Sequence, residues 1–133
     1  MKKLITKYRN WFFYWAAVGV GFFILFFLVT SSWIGVSVKE KCLIATARYE
    51  KEDCVFALMD QLQDENTTYR EKNYAIWALG QLGDDRALSI LENMYTGIIP
   101  DREPYDDGIS QYELKKAIKL IDDGFNATAF VWR

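Results

Sequence analysis

The chain contains no histidine. Serine–histidine–aspartate and cysteine–histidine nucleophilic systems, histidine-ligated haem or pigment, and histidine-containing zinc sites are therefore excluded, because each needs an imidazole as base or ligand. Cysteine is scarce: Cys42 and Cys54 are the only two, too few for a four-thiolate metal site and too far apart for a CxxC pair. No P-loop and no GxGxxG pattern is present, so no phosphate-cradling turn is expected. No Asp, Glu, Lys or Arg lies between Arg9 and Lys39, and no acid precedes that gap. The expectation from these absences is a protein with no catalytic residues, no metal and no cofactor, and not an enzyme.

What fills the uncharged gap is the strongest signal in the chain. Residues 11–29, from Trp11 to Val29, are almost wholly apolar. A helix of ~19 residues rising ~1.5 Å each comes close to the thickness of a bilayer's hydrocarbon core. A helix also satisfies every backbone group within the segment, as lipid demands. Trp11, Tyr14 and Trp15 at one end and Trp33 near the other have the placement of interfacial anchors. A cleaved signal peptide would share the basic start, but its apolar region is usually only ~7–15 residues long. Nor does Lys-Glu-Lys before Cys42 look like a lipoprotein cleavage box. The expectation is an uncleaved single span.

Lys2, Lys3, Lys7 and Arg9 precede the span, and Lys39, Lys41, Arg48 and Lys51 follow it. Counted as Lys and Arg, the flanks nearly tie. The short basic N-terminus makes the easier cytoplasmic tail, so the expected orientation is N-terminus inside and C-terminal domain extracytoplasmic. Ala17 and Gly21 form a small-xxx-small pair that would let another helix approach within the membrane. The bland reading of the pair is that small residues are common in spanning helices.

From Val38 onward 12 bases meet 18 acids, a balance of −6, against +4 before the span. A domain of that sign repels phosphate backbones, so nucleic acid is not an expected partner. The remaining periodicity is helical. Residues 38–63 read as two helices broken near Glu50–Glu52, with Leu43 and Ala47 on one apolar stripe and Val55, Phe56, Leu58, Met59 and Leu62 on the next. Thr68 with Glu71 has the form of a capping box, and Gly83 that of a C-terminal cap, which bounds a third helix over 69–82. Asp84 or Asp85 opens a fourth helix running to about Tyr95. Residues 98–109 hold both prolines, Pro100 and Pro104, and read as a loop. Ser110 with Glu113 opens a fifth helix ending at Asp123-Gly124.

Residues 44–63 can be laid on 76–95, pairing Ile44 with Ile76, Phe56 with Leu88 and Leu62 with Met94. A fixed period in the range of about 20–50 residues is the signature of a solenoid. The run Ala75-Ile76-Trp77-Ala78-Leu79-Gly80-Gln81-Leu82-Gly83-Asp84-Asp85-Arg86-Ala87-Leu88-Ser89-Ile90-Leu91 resembles a HEAT repeat of the short type associated with phycobilisome lyases, A-x-x-A-L-G-x-L-G-D-x-x-A-x-x-x-L. The copy at 44–63 lacks the Leu-Gly-x-Leu-Gly core, and the fifth helix resembles a first helix without its partner. The resemblance implies stacked helices and protein binding. Lyase activity is not carried over, since the repeat is a scaffold shared by many functions.

Other constellations have plainer readings. If a helix hairpin turned near Lys51, Cys42 and Cys54 would be offset by roughly 9 Å at ~1.5 Å per residue, beyond the ~7 Å between Cα atoms that a disulfide allows. Two free, buried thiols are expected. Asp101, Glu103, Asp106 and Asp107 lack EF-hand spacing and read as a solvated loop. Trp77 points away from the Leu79 stripe and shares a side with Arg70, Tyr74 and Gln81. It either contacts a partner or packs on a neighbouring repeat. The tail Phe125, Ala129, Phe130, Val131 and Trp132 either caps the stack or docks on a partner. Asn66-Thr67-Thr68 and Asn126-Ala127-Thr128 are sequons, which matter only in a eukaryotic lumen.

The resulting expectation is an all-α chain: a basic tail (1–10), a transmembrane helix and its exit (11–37), a HEAT-like α-solenoid of about five helices (38–124) and an apolar tail (125–133). Its expected work is protein–protein contact, as a scaffold or accessory subunit of a larger membrane complex. Arg70, Tyr74, Trp77, Phe130 and Trp132 are the expected partner-binding residues, and Ala17 and Gly21 the expected helix-packing ones. Membrane lipid and other subunits are the expected partners, and no small-molecule ligand is expected. A membrane-tethered lyase-like or cofactor-assembly factor is the competing class.

Overall fold

Nothing in residues 2–49 breaks a helix, and in the computed structural model the chain runs through them as one, α1 (Lys2–Tyr49). The structure describes residues 2–103, 105–122 and 124–133, with side chains from residue 11 onward. Pro104, Asp123 and the side chains of Lys2, Lys3, Lys7 and Arg9 lie outside the described residues. After α1 come α2 (Cys54–Gln63), α3 (Tyr69–Leu82), α4 (Leu88–Met94), α5 (Gln111–Asp122) and α6 (Ala129–Trp132). A 3-10 turn at Asp85–Ala87 leads into α4, which is accordingly shorter than the expected fourth helix. The fold is all-α, with no strand among the described residues.

At ~1.5 Å per residue α1 is roughly 70 Å long, more than twice a hydrocarbon core of about 30 Å. Its apolar part is long and apolar enough to cross a membrane, with a mean hydropathy of 2.3 and none of that window buried. The helix then continues unbroken through residues 37 and 38, so its outer end is also a wall of the folded domain. That wall is a stripe at alternating spacings of four and three: Ser31, Gly35, Val38, Cys42, Ala45 and Tyr49 are buried or half-buried. Leu43 and Ala47, expected on the inner face, point outward, and Leu43 is 71% exposed. The phase is set by α2, α3 and α6, which all pack on the same side of α1; position 43 lies about 100° round from 42.

Cys42 and Cys54 form a disulfide, with Cα atoms 5.1 Å apart. The expected free thiols are overturned, and the reason is local. Residues after Tyr49 do not start a second helical arm. Glu50 takes a left-handed turn (φ 51°) and Asp53 is extended (φ −94°, ψ 123°). Extended residues cover ~3.3 Å each rather than ~1.5 Å, so the short connection carries the chain back beside Cys42 before α2 begins. α2 then runs in the same general sense as the end of α1. Its start is tied to Cys42, and Asp64 just past its end accepts from the Tyr49 hydroxyl at 2.8 Å.

Local signals fix most other boundaries. Asp53 accepts from Val55 N and Phe56 N and caps α2. Thr68 and Glu71 close the capping box of α3, and Gly83 ends it in the left-handed region (φ 61°), where a side chain would be strained. The core is apolar and shared: Leu58 of α2, Ile76 and Leu79 of α3, Leu91 of α4 and Leu114 of α5 are fully buried, each contributing on the order of 2 kcal/mol. Ser110 N donates to Asn73 Oδ1 at 2.8 Å across 37 residues. Gly80 faces Ala117, again 117 − 80 = 37 residues on. α5 therefore lies parallel to α3, as successive first helices of a stack do. α1 meets α3 in the opposite sense, since Arg48 pairs with Glu71 while Lys41 lies over the Tyr74 ring. The offset of 32 between 44–63 and 76–95 is therefore not a stacking register, because the end of α1 runs antiparallel to α3 rather than parallel to it as a preceding first helix would.

The α2–α3 turn is held by a carboxylate with a pH signature. Asp64 accepts from the Asn66 backbone N–H, the Tyr49 hydroxyl and Thr67, and its pKa drops from 3.8 to about 2. A depressed carboxylate pKa stabilises the fold above its unfolded value, and the contribution disappears as pH falls from about 4 through about 2. Urea midpoints should hold near pH 5 and fall near pH 3. Asp64→Asn should flatten that acid limb.

Candidate interaction surface

Between α1, α3, α5 and the loop before α5 lies an open groove of about 400 Å³. The registers described above create it. α1 contributes Trp33, Ser37, Glu40 and Lys41, successive positions along one side of its outer half; α3 contributes Tyr74 and Trp77, the loop Tyr105, and α5 Glu113. The Tyr74 and Tyr105 rings meet edge to face at 5.8 Å, and Lys41 Nζ sits 4.9 Å from the Tyr74 ring centre. Burial, then the nearby Glu113 charge, pushes the Tyr105 phenol up to about 12. The charges along the groove are partly matched, with Glu113 accepting from Lys116 at 2.7 Å. The result is a largely apolar, aromatic concavity beside the point where α1 leaves its uncharged stretch.

The loop that supplies Tyr105 is fastened by a residue absent from the sequence-based expectations. Asn73 is fully buried. Its Nδ2 donates to the carbonyls of Tyr105 and Gly108, both at 2.9 Å, and its Oδ1 accepts from Ser110 N. Glu103 accepts from Ser110 Oγ at 2.5 Å and Gln111 N at 2.8 Å, so the loop's acid serves the start of α5. The legible signal was a polar residue in step with Ile76 and Gly80 on the inner face of α3.

Of the expected contact residues, Arg70, Tyr74 and Trp77 share one region. Arg70 is engaged already: its Nε and Nη2 donate to Asp106 at 2.5 and 2.8 Å. Tyr74 stays exposed in the groove, while Trp77 is half-buried, packing on the core and presenting an edge to the groove. Phe130 and Trp132 lie elsewhere. α6 packs on α1, and a methyl added at Gly35 would overlap the Trp132 side chain. Asn126 Nδ2 donates to Gln81 Oε1 at 3.0 Å, and Arg133 donates to the Gln81 carbonyl, so the tail is tied to the end of α3 as well. Phe130 points away from all of this, 84% exposed. Ala17 and Gly21 are both exposed on α1, and a methyl at Gly21 would meet nothing within 4 Å. Continued toward the N-terminus, the buried stripe of α1 passes through Leu28, Ile24, Gly21 and Ala17, drifting by about 20° per heptad.

Residues 72–96, covering most of α3, the 3-10 turn and α4, match the family model described as PBS lyase HEAT-like repeat. No curated protein and no solved structure matches the chain.

Proposed function

We propose that this chain is a single-pass membrane-anchored protein–protein interaction module, an accessory subunit or scaffold whose HEAT-like domain offers the α1/α3/α5 groove to another subunit. The observation that carries the reading is the groove itself. It exposes aromatic rings on a rigid helical frame, and aromatic residues in a concave site are what interaction hot spots are made of. The matched repeat belongs to a class that uses stacked helices to build binding surfaces. The family description names a lyase. With no histidine in the chain and Glu103 and Arg70 committed to holding the loop, contact is the better use of this surface.

The disulfide supports the orientation N-terminus inside, domain outside. Structural disulfides persist in oxidising compartments and are rare where thiols are kept reduced. The test of the binding role is a photo-crosslinking residue in place of Tyr74, in native membranes, against the same residue in place of exposed Ser89 on α4. The Tyr74 position should give one discrete protein adduct, and Ser89 none. No adduct at Tyr74, or the same adducts at both positions, would contradict the reading.

A further inference from the structure

The tail of this chain carries an apolar patch that the fold leaves bare. Phe125 is 78% exposed and Phe130 84%, with their rings 5.9 Å apart, and Val131 beside them is 38% exposed. No Asp, Glu, Lys or Arg occurs from Gly124 through Trp132. Water is a poor solvent for such a cluster. Two paired, uncharged aromatic rings on a fixed turn are a built surface, not scattered exposure.

Where the turn is fixed decides what meets it. Trp132 packs against Gly35 of α1. Gly35 lies six residues beyond Val29, the last of the apolar run. At ~1.5 Å per residue that is roughly 9 Å, near the outer edge of a headgroup layer about 5–8 Å thick. Ser31, one turn nearer the membrane on the same stripe, is fully buried, so protein covers this side of α1 almost down to the apolar run. Trp33, at the same height on another side of the helix, is 68% exposed and has the position of an interfacial anchor. The patch thus sits on the tail that is docked against α1 next to the end of its apolar run.

We infer that Phe125 and Phe130, held by the docking of α6 on α1, insert into the headgroup–acyl boundary of the same bilayer that α1 spans, giving the domain a second membrane contact and a fixed tilt. The inference rests on the membrane-span reading. It takes the tail out of the protein-contact surface and leaves that role to the groove.

The test places a bimane fluorophore at Phe130→Cys or, separately, Phe125→Cys in the full chain. Cys42 and Cys54 are tied to each other and are spared by the label. Leu25→Cys within the apolar run and Ser89→Cys on α4 are the references. The proteins are reconstituted into phosphatidylcholine–phosphatidylglycerol vesicles carrying nitroxide lipids, with the nitroxide either near the headgroup or deep in the acyl region. Labels at 125 and 130 should be quenched severalfold more than at 89 by the shallow nitroxide, with blue-shifted emission, and Leu25→Cys by the deep one. If 25 is quenched while either tail label behaves like 89, the inference is overturned and the span reading stands. If 25 also escapes quenching, the span reading fails and the inference falls with it.

Discussion

Gly80→Val should unfold the helical domain far more readily than a substitution on any exposed helix face. A Cβ at position 80 would sit 2.7 Å from the Ala117 Cα and 2.8 Å from its Cβ. The first of these is backbone, so no rotamer change relieves it, and α3 and α5 must move apart. That contact is the axis of the parallel pair, and separating it opens the layer containing Ile76, Leu79 and Leu114. The helix-propensity gain on leaving glycine is smaller than about 1 kcal/mol for a β-branched residue. Overpacking against a backbone costs on the order of 3 kcal/mol. For a domain of this size the thermal midpoint should drop by roughly 15 °C. Near-UV circular dichroism of the full chain in detergent reads the transition as the loss of signal from packed rings of the domain such as Trp77, over a constant background from the aromatic residues of α1. Ser89→Val, on an exposed face, should leave the midpoint nearly unchanged.

The second large effect belongs to the disulfide. Cys42 and Cys54 are separated by 12 residues, and closing a loop of that order stabilises a fold by roughly 3 kcal/mol. The loss should appear on reduction, or equally in Cys42→Ala with Cys54→Ala. It should be felt most at α2, whose start is held against α1 by this link and whose end is held by Tyr49 and Asp64. A thiol reagent should modify the folded, unreduced chain at neither position. Rapid modification of both without a change in stability would mean that the bridge contributes nothing. Expression where thiols are kept reduced should yield the weaker form, linking stability to compartment.

Much of this was legible from residue patterns because the patterns are local. The apolar run, the Thr68–Glu71 box, the Gly83 cap and the repeat over α3 and α4 each depend on a few neighbouring residues, and each appears where the spacing puts it. The failures share a cause. Placing Cys42 far from Cys54 assumed that every residue near the turn rises as helix does, whereas the chain turns at Glu50 in the left-handed region and doubles back through an extended Asp53. Placing Leu43 and Ala47 inside assumed that the segment after residue 38 begins its own helix, whereas it inherits the phase of α1. The 44–63 and 76–95 segments share periodicity but not orientation, because residues 44–49 are the end of α1 and run antiparallel to α3. Of the contact residues, Tyr74 and Trp77 could be grouped from helical spacing alone. Trp33, Tyr105 and the fastening role of Asn73 could not, since they meet only across elements 30 or more residues apart, as the 32-residue reach of Asn73 to the Tyr105 carbonyl illustrates.

All of the functional reading hangs on α1 being one uncleaved helix that stays in lipid while its outer end forms the wall of the domain. Alkaline carbonate extraction of membranes containing the full chain tests this most directly. The account predicts an undivided 15.5 kDa chain that remains in the membrane pellet and is released only by detergent. Release of the chain into the carbonate supernatant, or recovery of a shorter product lacking the segment around Trp11–Val29, would contradict it.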